Sequence, residues 1–197
     1  MEISPHMKIQ LDRLRALYPE LKSYPDGQLL QMFRDTMEQI AGAIAPDAVT
    51  GEQSAAQPRL GEEQALAIGY SNLGQIHFQQ GDFDKAIGMH ERALEIHLRI
   101  GDRPGSAQDY GNLAICYRQK GDTARALRFY KKDLEITEEI GDQHGVAVSC
   151  FNLGLLYFRK IGDCKEARVH FAKARELFQI AGDASLAERA EQALRGL

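Results

Sequence analysis

The dipeptide Gly-Asp stands at positions 81, 101, 121, 141, 162 and 182, so the intervals are 20, 20, 20, 21 and 20 residues. Glycine enters the left-handed backbone region at little cost and so ends a helix. The aspartate after it accepts from the unpaired amides that open the next helix. A chain punctuated in this way is a series of helices, each of roughly 15 to 18 residues, joined by tight corners. Asp163 with Glu166 has the spacing of a capping box. The single longer interval holds one extra residue, Ile161 or a neighbour.

A second period lies over the first. Asn72-Leu73-Gly74 returns as Asn112-Leu113-Ala114 and as Asn152-Leu153-Gly154, at a spacing of 40. The repeating unit is therefore a pair of helices. In the first helix of each pair, Tyr70, Leu73 and His77 share a face at i, i+3, i+7 spacing, as do Tyr110, Leu113, Tyr117 and Cys150, Leu153, Tyr157. In the second helices Ala86, His90 and Ala93 align with Ala126, Tyr130 and Asp133, then with Ala167, Phe171 and Ala174. The small residues Gly74, Ala114 and Gly154 let the two helices of a pair approach closely.

The run Gly111-Asn112-Leu113-Ala114-x-x-Tyr117-Arg118-x-x-Gly121-Asp122, continued by Ala126-Leu127-x-x-Tyr130 and Leu134-Glu135-Ile136, resembles the tetratricopeptide repeat. The usual repeat has about 34 residues. The 40-residue form with its closing Ile-Gly-Asp is similar to the extended repeats of spindle-orientation adaptors and kinesin light chains. The resemblance covers residues 61–183. It implies an all-α fold, a right-handed superhelical solenoid of three hairpins at 61–101, 102–141 and 142–183. Residues 184–197, with Leu186, Ala190 and Leu194 on one stripe, are expected to form a capping helix. Arg175, where the earlier repeats have Leu94 and Leu134, suits a helix near the end of the stack.

The first 60 residues do not match the repeat. Leu11, Leu14, Leu17 and Tyr18 suggest one amphipathic helix. Pro25-Asp26-Gly27 can start another through Leu29, Leu30, Phe33, Met37 and Ile40. We therefore expect an N-terminal helical extension over 1–44 and a linker over 45–60. The extension could cover the open end of the first hairpin, mediate dimerisation or contact a further domain.

A formal net charge of −4 gives no basic face for nucleic acid. No run of about 18 apolar residues occurs, so no membrane span is expected, and the N-terminus lacks an apolar signal core. Cys116, Cys150 and Cys164 are odd in number and widely spaced, which suits reduced thiols in a cytoplasmic compartment. His90 and His97 can share a helix face, but no third ligand stands at a suitable spacing, so neither a metal nor a cofactor is expected. His77 and His90 occupy places that hold Tyr117 and Tyr130 in the next repeat, and so read as packing rings. No phosphate loop or nucleophile elbow is present. Cys164, near a helix N-terminus, has no assignable base. The row Arg125, Arg128, Lys131, Lys132 with Glu135, Glu138 and Glu139 beyond it reads as a solvated face. No catalytic residue is assigned.

The resemblance also implies which residues line the concave surface, because the first helix of each hairpin does so in such stacks. The first hairpin would offer Ile68, Ser71, Asn72, Gln75, Phe78 and Gln79. The second would offer Gln108, Gly111, Asn112, Ile115, Arg118 and Gln119, and the third Val148, Phe151, Asn152, Leu155, Phe158 and Arg159. Asn72, Asn112 and Asn152 form a ladder of carboxamides that could pair with a peptide backbone or bond within their own hairpins. Co-chaperones of this family clamp a C-terminal dicarboxylate with Lys, Asn, Asn, Lys and Arg. The matching places here hold Ser71, Gln75, Asn112, Val148 and Asn152, so a heat-shock-chaperone tail is not the expected ligand. Spindle adaptors carry a second Asn and an Arg further along each inner helix, and only Arg118 agrees. The expected function is binding a peptide or helical segment of a protein partner in this groove. The alternatives are self-assembly, as a homodimer through the groove or the N-terminal helices, and a peptide-sensing domain of a bacterial signalling protein.

Overall fold

The computed structural model describes residues 57–197 and, ahead of them, Lys8, Asp12, Arg15, Lys22, residues 24–27 and Leu29. It divides into two compact units, residues 1–61 and 62–197. In the first, Arg15 Nη2 donates to the Tyr24 carbonyl at 2.8 Å and Nη1 pairs with Asp26 at 2.5 Å. The Leu29 amide donates to the Pro25 carbonyl at 3.1 Å, a helical turn where the sequence starts one. The remaining apolar positions of the two N-terminal helices, and linker residues 45–56, lie outside the described residues.

The repeat region is all α, with no strand among the described residues. Its helices are α1 (Gln57–Gln79), α2 (Phe83–Ile100), α3 (Arg103–Gln119), α4 (Thr123–Glu139), α5 (Gln143–Leu156), α6 (Cys164–Ile180) and α7 (Ala184–Arg195). Helix α1 begins inside the segment read as linker. Pro58 is no obstacle there, because the first turn of a helix does not use its amide.

Every corner has one plan. Gly81, Gly101, Gly121, Gly141, Gly162 and Gly182 all have φ between 73° and 81°. Asp82, Asp102, Asp122, Asp142, Asp163 and Asp183 each cap the next helix by accepting a backbone amide. At the third corner Gly121 N donates to the Arg118 carbonyl at 3.1 Å and Asp122 N to that of Tyr117 at 2.9 Å. This Schellman pattern satisfies the last carbonyls of the helix, and four other corners repeat it.

The corner at Gly162 differs. Residues Tyr157–Ile161 form a π-turn, and both Gly162 N and Asp163 N donate to the Tyr157 carbonyl, at 2.8 and 3.1 Å. The extra residue of the 21-residue interval is taken up there, as a widened helical turn. The expected capping box is only half made. Asp163 Oδ1 accepts from Lys165 N and Glu166 N, but the Asp163 amide turns back to Tyr157 instead of to Glu166.

The helices pack through small residues facing rings. A Cβ on Gly74 would lie 2.6 Å from His90 Nε2, and one on Gly154 2.6 Å from Phe171 Cδ1. Leu113, Ala114, Tyr117, Tyr130, Leu153 and Leu156 form a central cluster. Val146, Ala147, Cys150, Ala174, Phe178 and Ala187 form a second, to which α7 contributes. Each fully buried large side chain of this kind contributes about 1.5–3 kcal/mol. Arg175 Nη1 donates to Glu191 Oε2 at 2.8 Å, so the arginine that replaces leucine ties α6 to α7.

Candidate functional site

The residues expected to line a groove are solvent-facing to different degrees. Gln75, Gln79, Gln108, Gln119, Val148, Phe158 and Arg159 are exposed, and Asn72, Phe78, Asn112, Ile115, Arg118, Phe151, Asn152 and Leu155 are half-buried. Four of them, Gln75 and Phe78 from α1 with Asn112 and Ile115 from α3, border a cleft of about 80 Å³ together with His90 and Cys116. The others do not border it.

The apolar members are partly committed to packing. Phe78 tilts against Phe83 with ring centroids 5.5 Å apart. Phe151 tilts against Phe171 at the same distance, and the Arg189 guanidinium lies 5.4 Å over its ring. Phe158 and Arg159 fall inside the π-turn and so do not continue the α-helical face of α5. Asn72, Asn112 and Asn152 make no side-chain hydrogen bond among the described residues. Their amides and carbonyl oxygens keep their full bonding capacity.

Behind this face runs a buried polar cluster that joins the first two hairpins. Asp109, fully buried on α3, accepts from Ser71 Oγ of α1 at 2.7 Å and from His97 Nδ1 of α2 at 2.8 Å. His90 Nδ1 lies 3.5 Å from the same carboxylate, at Oδ1. A buried carboxylate requires such partners, since an isolated one is very costly. Sequence reasoning assigns His90 to packing alone and does not single out Asp109. The available signal is an acid at 109 on the same helical stripe as Leu113 and Cys116, where the next repeat holds Ser149. Among the described residues no group of such side chains is arranged to hold a metal ion.

The second pair of hairpins repeats the theme with other residues. Ser149 Oγ of α5 donates to Asp133 Oδ2 of α4 at 2.7 Å. Burial pushes the Asp133 carboxyl up to about 6 against the Ser149 hydrogen bond, which lowers it. Cys116 and Cys150 are buried, and that burial pushes each thiol up to about 11. Cys164 opens α6 and is exposed.

Among the described residues no helix is long and apolar enough to cross a membrane. Residues 65–139 match the family model for the tetratricopeptide repeat. No curated protein matches the sequence. Solved structures share the fold. The N-terminal domain of stress-induced protein-1 (STI-1) from C. elegans is 23% identical with a TM-score of 0.53, and the match covers 66% of this chain and 96% of that one. The apo form of RapI is 19% identical with a TM-score of 0.66, over 84% of this chain and 61% of that one. BtubC (BKLC) from P. vanneervenii is 21% identical with a TM-score of 0.50, over 94% and 85%.

Proposed function

We propose, from the tetratricopeptide-repeat match over residues 65–139 and the shared fold, that the chain is an interaction scaffold that holds an extended or helical segment of a protein partner against α1, α3 and α5. The observation that carries this reading is the ladder Asn72, Asn112, Asn152. Three half-buried carboxamides recur every 40 residues without a hydrogen bond among the described residues. A carboxamide offers two donors and an acceptor, which suits the backbone of a bound peptide. The hairpins are ordered beforehand, so the protein side loses little freedom on binding.

The clamp positions Ser71, Val148 and Asn152 lack the Lys and Arg that a terminal dicarboxylate needs, so the reading assigns an internal segment of the partner rather than its C-terminus. It assigns no catalysis and no cofactor. The free thiols fit a cytoplasmic setting.

The test is selection of peptides from a random display library on the full chain, with anisotropy titration of the selected peptides. The triple variant Asn72→Ala, Asn112→Ala, Asn152→Ala should keep its melting temperature and lose most of the affinity. Full affinity in the folded variant would remove this face from the function.

A further inference from the structure

Helices α2 and α4, the second helices of the first two hairpins, border a cleft of about 630 Å³ floored by Leu94, Tyr110, Leu113 and Phe129. It lies round α3 from the candidate groove, since Tyr110 and Leu113 face it while Asn112 and Ile115 face the smaller cleft. Leu98, 49% exposed, adds to its apolar surface. Glu91 and Glu95 stand one turn apart on α2, and Arg128 and Lys132 one turn apart on α4. Neither glutamate forms an ion pair among the described residues. Arg128 lies over the Phe129 ring at 5.2 Å, and Lys132 turns to Glu135 of its own helix at 2.7 Å.

The next gap, between α4 and α6, is built differently. The places of Leu98 and Lys132 are taken there by Glu138 and Lys173, which pair across the gap at 2.6 Å. The place of Arg128 is taken by Val169, and those of Glu91 and Glu95 by Lys131 and Glu135. The open apolar cleft with an acidic row on one side and a basic row on the other is therefore a property of the first gap and not of the repeat.

We propose that this cleft is a second docking surface, which takes an amphipathic helix of a partner protein. The cleft volume is within the range of built binding sites. An apolar strip between two charge rows of i, i+4 spacing is the complement of a helix lying in a groove. The helix it fits has an apolar stripe, Lys or Arg along one edge at i, i+4 spacing, and Asp or Glu along the other.

Three designed helical peptides with one common apolar stripe test this by fluorescence anisotropy. One carries a basic and an acidic edge, one two acidic edges, and one two basic edges. Swapping the edges of the first would be uninformative, because a helix can reverse its direction in the cleft. The full chain should bind the mixed peptide about tenfold more tightly than either other. The variant Glu91→Lys, Glu95→Lys changes only exposed residues and should move that preference to the peptide with two acidic edges. Absence of binding by all three peptides, or an unchanged order in the variant with a wild-type circular dichroism spectrum, would overturn the proposal. So would a dimer in sedimentation velocity that Leu98→Arg abolishes, because a second copy would then fill the cleft.

Discussion

Ser149 Oγ sits between two acceptors, 2.7 Å from Asp133 Oδ2 and 2.9 Å from the Gly145 carbonyl. One hydroxyl proton cannot serve both fully. When Asp133 is protonated, its hydroxyl donates to Ser149, and Ser149 is then free to donate to Gly145. Burial favours the neutral acid and outweighs the Ser149 hydrogen bond, which favours the carboxylate.

The first prediction rests on that pair. The Asp133 carboxyl lies at about 6 in the folded chain against an ordinary value of 3.8. Its contribution to stability is full below about 4 and is lost as the pH rises through about 6. Asp133→Asn supplies a neutral donor to Ser149 at every pH. It should raise stability at pH 7 by about 1–3 kcal/mol and remove this part of the pH dependence. Urea unfolding at pH 4 and pH 7 checks it; parallel pH profiles for the two proteins would contradict it.

The corners make the second. A Cβ on Gly121 meets nothing within 4 Å, so only the backbone, at φ 81°, opposes a side chain there. Gly121→Ala should cost about 1 kcal/mol. Gly88 within α2 is equally open but lies in an ordinary helical turn. Gly88→Ala should add about 0.5–1 kcal/mol. Thermal melts of the two variants should move in opposite directions.

Close approach of the helices makes the third. Gly74→Ala drives a methyl into the His90 ring and should cost about 1–3 kcal/mol. The second hairpin carries Ala114 and Tyr130 at these places. A double-mutant cycle of Gly74→Ala with His90→Tyr should therefore show coupling above about 0.5 kcal/mol. Simple additivity would mean that the methyl is absorbed elsewhere.

Thiol labelling is the fourth. Cys116 and Cys150 are buried and held protonated, whereas Cys164 is exposed. A maleimide at neutral pH should modify only Cys164 in the folded chain and all three in denaturant. Mass spectrometry after proteolysis reads the sites directly.

The helices, their order and their corners were legible because Gly-Asp acts locally: glycine chooses the left-handed turn and aspartate caps the next helix. The buried polar pairs were not. Ser71 meets Asp109 across 38 residues, and His97 reaches the same carboxylate only because α2 packs on α3. A helical stripe marks a position as buried but does not name the group that faces it. The candidate groove was legible only as a set of outward positions. That Phe151 leans on Phe171 and Arg189 depends on α6 and α7. Likewise the count of 21 revealed an added residue at the third hairpin, while the π-turn that houses it depends on the Tyr157 carbonyl accepting two amides.

In each corner one aspartate both closes the helix behind it and opens the helix ahead. Such a joint has no slack. A residue added there would have to break one of the two sets of bonds, whereas a residue added within a helix only widens a turn. Natural insertions in an array of this build should therefore accumulate in the helical turns ahead of the glycine, as at Tyr157–Ile161, and leave the Gly-Asp pair itself intact. They change the phase between one hairpin and the next, so that length variation acts on the chain as a rotation of everything downstream.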